Sequence, residues 1–473
     1  MTEPISKPIC YDGGEEFCFI NIYGQFKGWR NNEHGNLWTF NQNYMEWLNQ
    51  GALTDLDAGK WIDRYIEDMP DNEVGNDPYV TALRCMNWIR LFVRKPQLRN
   101  KTRDDALYSQ CKLLEKKLEY KLLGNHLLEE FFALFIASIY FRDIHWYELS
   151  SSGLKKELDE QILKDGAHYE LSPMYQTILL DRLLDCYNFS VNNPLFDGQQ
   201  LLTDFMVAKA ILMLGHLSSI IYRDGSIPLL NDAARGIGPE SKVLFEYAKR
   251  LELKWEPLPL KRCGYRKMAN DRLDAVIDVS QIRATYQPGH THADFFTYEL
   301  RIDGIPFIVD TGTSTYDKGV RRDYERSTKA HNTVTVDGKD SCEVWSGFRV
   351  GKRPKIHIVA DFDDEVVAWH QGFGKGLKHT RNFIMRSDYF KVRDEISKSR
   401  ENISYIHFAE GIVPHVSDDM KCILTLKANV EIDGALKIEI LDETYSEEYN
   451  VNKKCKVAAV HFDKKMEYKV QLK

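Results

Sequence analysis

Through the first half of the chain, apolar side chains recur every three or four residues, the spacing of one face of an α-helix. The clearest start is Asp77 followed by Pro78, a capping residue and a first-turn proline, and the pattern stops before Pro96. Residues 125–141 are apolar on nearly every side, which is typical of a helix buried between neighbours. Further helices are predicted over 107–118, 174–187 and 201–217.

Beyond residue 256 the pattern changes to short segments in which apolar and polar residues alternate, as in half-buried strands. A proline-rich stretch, Trp255 to Pro259, separates the two patterns and indicates a domain boundary. Helices followed by strands predict an α+β protein with a helical domain over 1–256 and an antiparallel β-sandwich over 257–473. Strands are predicted over 275–279, 295–302, 305–309, 333–336, 355–359, 366–370 and 457–462.

Composition narrows the choice of partner and compartment. The chain has 473 residues, a net charge of −7 and nine cysteines. An acidic chain has no global basic field, so we expect neither nucleic acid nor a membrane as a partner, whereas a homo-oligomer is compatible with the sequence. The cysteines are odd in number and widely spaced, which predicts reduced thiols. The first fourteen residues lack the pattern of a signal peptide, which predicts a cytoplasmic protein, or a periplasmic or secreted one if a leader was removed.

Three histidines and one aspartate lie near one another in sequence, at the ends of predicted strands: His290, His292, Asp310 and His331. Imidazole and carboxylate groups together suit a divalent metal such as zinc. On a strand, His290 and His292 would face the same side and could share a site. The alternative is four separate side chains, each with its own hydrogen bond.

A metal site at these residues makes a demand on strand register. A two-residue turn at Asp303 and Gly304 pairs Asp310 with Thr297, which faces the side opposite to His292. The site therefore requires a β-bulge or a longer turn that shifts the register by one residue.

Polar residues also open two predicted helices. Asn125 and His126 begin a helix that is otherwise apolar, where buried polar groups need partners or a ligand. Tyr175 lies in the first turn of another helix, where the positive backbone potential favours a phenolate. These residues are candidates for chemistry, and helix packing is the alternative for the tyrosine.

Several segments, in order along the chain, resemble landmarks of the heparinase II/III family of polysaccharide lyases. They are 37–41, 124–129, 165–175, 224–232 and 290–351. The resemblance implies an incomplete α/α toroid followed by an antiparallel β-sandwich, with the active cleft between them. It also implies β-elimination at a uronic acid of an acidic polysaccharide or oligosaccharide.

The resemblance also implies roles for four residues in that reaction. Asn125, aided by His126, would neutralise the uronate carboxylate, which makes the C5 proton more acidic. Tyr175 and His290 would supply the base and the acid, and the assignment depends on whether the uronate is glucuronic or iduronic acid.

Further residues are candidates for binding a metal or the substrate. His292, Asp310 and His331 match the ligands of a structural divalent metal, expected to be zinc. A cationic run beside them is expected to bind the acidic substrate, although a solvated surface is the alternative for such a run. The predicted substrate contacts are Arg321, Arg322, Arg326, Gln176 and Trp38. Relatives commonly carry histidine where this chain has Gln176.

Three other functions fit the same residues. A uronate C5 epimerase would use the same scaffold to exchange the C5 hydrogen without cleavage. A metal-dependent hydrolase would use His290, His292, Asp310 and His331 as an open metal site. A glycan-binding factor of polysaccharide biosynthesis would need no catalytic tyrosine.

Overall fold

The structure is a computed structural model that describes all residues, Met1–Lys473. The chain forms two units, one comprising 1–166, 177–214 and 242–255, the other 167–176, 215–241 and 256–473. The first is mainly helical and the second contains the large sheet, which confirms the predicted fold class. The prediction placed 167–176 and 215–241 with the helices, whereas the structure groups them with the sheet.

Nine helices occupy the N-terminal half of the chain. They are α1 (Asn36–Tyr44), α2 (Asp55–Asp68), α3 (Pro78–Arg94), α4 (Lys101–Lys117), α5 (Gly124–Phe141), α6 (Ile144–Gln161), α7 (Pro173–Asn192), α8 (Gln199–Ile220) and α9 (Ser241–Arg250). All predicted helices are present. At the start of α3, the Asp77 carboxylate accepts hydrogen bonds from the N–H groups of Tyr79 and Val80, which have no partner within the helix. The capping signal in the sequence therefore corresponds to real hydrogen bonds.

A group of charged side chains is buried in the first unit. Lys7 Nζ lies 2.7 Å from Asp181 Oδ2 and 2.8 Å from Glu46 Oε1. Arg182 also contacts both carboxylates, at 2.9 Å and 3.0 Å. The Lys7 and Asp181 side chains are only 4% and 1% exposed, so each charge depends on its partner for stabilisation.

Helix α8 is long and apolar enough to cross a membrane by length and composition alone. Half of its most apolar stretch is buried within the protein. A core helix meets the same criterion, so α8 is weak support for a membrane span.

The strands lie mainly in the second unit, after a short hairpin of β1 (Glu16–Phe19) and β2 (Ile22–Gln25) in the first. The others are β3 (Tyr265–Ala269), β4 (Leu273–Asp278), β5 (Tyr298–Ile302), β6 (Ile305–Ile308), β7 (Val334–Val336), β8 (Glu343–Trp345), β9 (Arg349–Gly351), β10 (His357–Asp361), β11 (Glu365–His370), β12 (His379–Met385), β13 (Tyr389–Ile396), β14 (Asn402–Phe408), β15 (His415–Val416), β16 (Cys422–Leu424), β17 (Ala428–Glu448) and β18 (Val451–Leu472). A short helix, α10 (Val320–Arg326), precedes β7.

Fourteen of these strands form one antiparallel sheet with the main order β10-β11-β12-β13-β18-β14-β6-β5-β4-β3. β17 and β18, of 21 and 22 residues, form a long hairpin. β18 pairs with β14 along its N-terminal part and with β13 along its C-terminal part, so one strand organises the sheet. The inward side chains of these strands form one apolar core.

The pairing of β5 with β6 contains the one-residue register shift that was expected for the predicted metal site. The chain turns at 303–304 as predicted, but farther along Leu300 pairs with Ile308 rather than with Phe307. β6 therefore carries one extra residue, a β-bulge that shifts the register by one position. Asp310 follows this bulge, where its carboxylate lies 2.9 Å from His331 Nδ1 and accepts from Thr297 Oγ1 at 3.0 Å.

Candidate active site

Tyr175 and His290 lie face to face in the second unit. Their ring centroids are 4.1 Å apart and their planes differ by 19°. Tyr175 is in the first turn of α7, where its N–H donates to Ser172 Oγ at 3.3 Å. Tyr175 is 9% exposed and the His290 side chain 13% exposed. The two groups predicted to transfer protons are therefore adjacent, and neither is sealed from solvent.

A carboxylate orients the His290 ring. Glu170 Oε2 lies 2.7 Å from His290 Nδ1, and the Glu170 side chain is only 3% exposed. Because the carboxylate accepts the Nδ1–H, the other ring nitrogen, Nε2, is left to take a proton. A carboxylate that holds an imidazole in one tautomer is typical of a histidine that acts as a general base.

Tyr175 has a second phenol as its partner. Tyr316 Oη lies 3.2 Å from Tyr175 Oη, and the Tyr316 ring lies 6.1 Å from the His290 ring at an angle of 21°. Burial raises the pKa of Tyr175 above its ordinary value, and nearby Glu170 and Asp232 add to the rise. Tyr175 is therefore a neutral phenol at neutral pH, which suits a proton donor better than a base.

Asp232 connects this pair to a buried cluster. Its N–H donates to the His290 carbonyl at 3.1 Å. Its carboxylate accepts from Arg322 Nη2 at 2.7 Å and from His292 Nε2 at 2.8 Å. Burial alone would raise the pKa of Asp232, but Arg322 and His292 lower it well below its usual range. Asp232 is thus a buried anion shared by an arginine and a predicted metal ligand.

The three predicted metal ligands, His292, Asp310 and His331, are fully buried together. Asp310 accepts from His331 Nδ1 at 2.9 Å, and the rings of His292 and His331 are 5.3 Å apart. His292 Nδ1 and His331 Nε2 have no hydrogen-bond partner. Buried nitrogens of this kind point to a ligand, and the Asp232 bond to His292 Nε2 is the usual outer contact of a metal-bound histidine. Imidazole and carboxylate are donor types that divalent cations accept, and the metal itself stays a prediction.

His290 and His292 do not share a site, so that expectation was wrong. The segment that contains them is a loop, since β5 begins only at Tyr298. Without strand alternation the two rings turn apart, His290 toward Glu170 and His292 toward Asp232.

The cationic run is also not the substrate surface that we predicted. Arg322 and Arg326 are 0% and 1% exposed, and Arg322 is paired with Asp232. Arg321 is partly exposed but lies 2.7 Å from Glu325. The guanidinium groups are thus bound within the protein, because a buried charge is stable only with a partner.

Two further predicted substrate contacts are buried in this structure, which corrects both. Trp38 is 0% exposed, donates from Nε1 to the Ile22 carbonyl at 3.0 Å and packs edge-on against Phe19. Gln176 is 2% exposed, and its Oε1 accepts from the His168 N–H at 2.7 Å. Both side chains hold the protein together rather than face a ligand.

Asn125 and His126 lie in the first turn of α5, in the first unit. Asn125 is 5% exposed, whereas 35% of the His126 side chain is exposed. His126 Nδ1 lies 2.9 Å from Glu119 Oε2, and its ring stacks on Tyr79 at 4.2 Å. Glu119 therefore orients His126 much as Glu170 orients His290.

Sequence reasoning missed three residues of the site: Glu170, Asp232 and Tyr316. The first two lie inside segments 165–175 and 224–232, which carried the family resemblance, so acidic residues there were the available signal. Tyr316 gave no signal, because it lies in a loop and its contact with Tyr175 spans 141 residues.

Comparison with known proteins identifies the family of this chain. The family description "Heparinase II/III N-terminus" matches residues 90–251, and "Heparinase II/III-like, C-terminal" matches 254–471. A heparin-sulfate lyase of Bacteroides stercoris is 21% identical over 438 residues, which cover 81% of this chain and 61% of that protein. This chain therefore matches about three-fifths of that relative's length.

Solved structures show the same fold. Heparinase III has a TM-score of 0.74 at 16% identity, covering 95% of this chain and 79% of that one. A mutant of the heparan sulfate lyase HepC from Pedobacter heparinus has a TM-score of 0.67 at 17% identity, with coverage of 97% and 82%. The chain is a member of the heparinase II/III family, and the predicted toroid-plus-sandwich fold class is confirmed.

Proposed function

We propose that the protein is a polysaccharide lyase that cleaves a uronic-acid-containing polysaccharide by β-elimination. The observation that carries the proposal is the Tyr175–His290 stack with Glu170 on the imidazole. Membership of the family supports the reaction class. The name of the Bacteroides stercoris relative makes heparan-sulfate-type glycosaminoglycans the first substrates to try.

In this mechanism His290 is the base and Tyr175 the acid. His290 Nε2 takes the C5 proton, the C5–H electrons form the C4–C5 double bond, and the C4–O bond breaks. Tyr175 Oη–H gives its proton to the departing oxygen. Glu170 stabilises the imidazolium that forms, and the neutral state of the Tyr175 phenol supports its role as donor. The proton passes back from His290 to Tyr175 before the next turnover.

The C5 proton leaves only if the neighbouring carboxylate is neutralised. We assign this role to Asn125, with His126 beside it, on the basis of the family resemblance. The contact between His126 and Glu119 supports a fixed imidazole at that position.

We also propose that His292, Asp310 and His331 hold a structural divalent cation, with zinc as the first candidate. Bound there, the cation would fix the loops that carry His290 and Tyr316. The buried, unpartnered His292 Nδ1 supports this assignment. Asp232 would position His292 through Nε2.

The function is tested with a panel of glycosaminoglycans, alginate and bacterial capsular glycans. We expect an ultraviolet-absorbing unsaturated uronate from at least one glycan, and a loss of roughly 10²–10⁴-fold in Tyr175→Phe. Tyr23→Phe, at a phenol that is 69% exposed, is the control and should retain full activity. Solvent deuterium that enters intact polymer, without unsaturated product, would instead identify a C5 epimerase.

A further inference from the structure

A short hairpin beside the candidate active site carries two exposed aromatic rings. β8 and β9 pair only with each other, with Trp345 opposite Arg349. Trp345 is 49% exposed and Phe348 is 38% exposed. We call this hairpin, residues 343–351, the aromatic arm. An isolated two-stranded hairpin is marginally stable in water, so other contacts must hold the arm in place.

Two buried arginines hold the arm through its backbone. Arg322 Nε donates to the Gly347 carbonyl at 3.1 Å. Arg326 donates to the Trp345 carbonyl at 3.4 Å and to the Arg349 carbonyl at 3.3 Å. Sequence reasoning assigned these arginines to the substrate. The contacts show instead that they fix the tip of the arm, which orders its rings before any ligand arrives.

The arm adjoins the catalytic pair. The Phe348 ring centroid lies 6.3 Å from the His290 ring, at 80°, and 5.3 Å from the Tyr316 ring. Arg322 lies against the rings of both Tyr316 and Phe348, with its central carbon 5.0 Å and 5.2 Å from their centroids. The Phe348 ring, which is 38% exposed, therefore connects the rings of His290 and Tyr316 to the solvent-exposed arm that also carries Trp345.

We propose that Trp345 and Phe348 form a sugar-stacking subsite next to the reacting uronate. Aromatic side chains offer large, rigid apolar contact area at a low cost in conformational entropy. Their faces are electron-rich, so they favour the C–H face of a neutral pyranose ring over a carboxylate. The occupant is thus the hexosamine ring that neighbours the uronate in a glycosaminoglycan. This inference rests on the proposed lyase function.

The test compares Trp345→Leu and Phe348→Leu with the wild type, using heparan sulfate oligosaccharides as the probe. Phe362→Leu, at another exposed ring of the same unit, is the matched control. If a side chain binds the substrate equally well in the ground state and in the transition state, its loss raises KM and leaves kcat unchanged. We expect KM to rise by about three- to tenfold in each arm variant and to stay constant in Phe362→Leu. Equal KM values in all variants would overturn the subsite.

A second measurement separates this inference from the proposed reaction. Calorimetric Kd values are measured in the Tyr175→Phe background, where turnover does not interfere. If the wild type forms no unsaturated uronate, the lyase function fails, and the Kd values still decide the subsite. Weaker binding in Trp345→Leu supports it. An unchanged Kd in Trp345→Leu overturns the subsite, and so does the absence of measurable binding. The subsite is also overturned if Trp345→Leu changes only the association of the protein with itself.

Discussion

Replacing Glu170 with glutamine isolates the contribution of one carboxylate to the reaction. The Glu170 side chain is 3% exposed and accepts the Nδ1–H of His290 at 2.7 Å. Glutamine has the same shape but no charge, so the imidazolium that forms during proton abstraction loses its counter-ion. A hydrogen bond to a charged group contributes ~1.5–3 kcal/mol, against ~1 kcal/mol for a neutral one. The difference of ~0.5–2 kcal/mol corresponds to a fall of about 2- to 30-fold in kcat.

The assay follows unsaturated uronate by ultraviolet absorbance and records kcat and KM separately. Glu115→Gln is the matched control, because Glu115 contacts His145 Nε2 at 2.9 Å in the same way, on a histidine side chain that is 64% exposed. Thermal unfolding of Glu170→Gln should match that of the wild type within a few degrees, at roughly 1 kcal/mol of lost stability. A kcat within twofold of the wild type in folded Glu170→Gln would refute the role of Glu170.

Three further predictions concern stability and metal content. Lys7→Met removes one of the cations that contact buried Asp181, with Arg182 remaining, and should lower the free energy of unfolding in urea by ~1.5–3 kcal/mol. Exposed Lys101→Met should change it by less than ~1 kcal/mol. Burial alone would raise the pKa of Asp394, but Arg381 lowers it below the ordinary 3.8. The pair therefore stabilises the fold above that pH, and the stabilisation is lost as the pH falls. In Asp394→Asn, the free energy of unfolding in urea should depend less on pH between about pH 5 and 3 than in the wild type. An unchanged pH dependence would contradict this. Purified wild type should carry about one divalent metal per chain by elemental analysis, and His292→Ala almost none; equal content in both would exclude the site.

The elements of the fold were predictable where local pattern decides them. Asp77 and Pro78 specify the start of α3 through hydrogen bonds from Tyr79 and Val80 to Asp77, all within four residues of the chain. The long hairpin of β17 and β18 was not predicted over most of its length. Much of β17 is only partly buried, and the register shifts on either side of Ala435 interrupt the alternation of polar and apolar residues.

The candidate site was predictable only in part, because partner choice is a long-range property. Tyr175 and His290 could be placed by family resemblance, and the structure brings them together. No local pattern shows that Arg322 pairs with Asp232, 90 residues away, or that Tyr316 reaches Tyr175. A basic run on a short helix has the same sequence signature whether its side chains face solvent or a buried acid.

Mass spectrometry of a defined heparan sulfate oligosaccharide after incubation with the protein tests the central claim most directly. Elimination divides a chain without consuming water, so we predict that the masses of the two fragments add up to the mass of the intact oligosaccharide. We also predict that Tyr175→Phe and His290→Gln form these fragments roughly 10²–10⁴-fold more slowly than the wild type. Fragments whose masses add up to the substrate plus one water would show hydrolysis and contradict the assignment of Tyr175 and His290 as an eliminating acid–base pair.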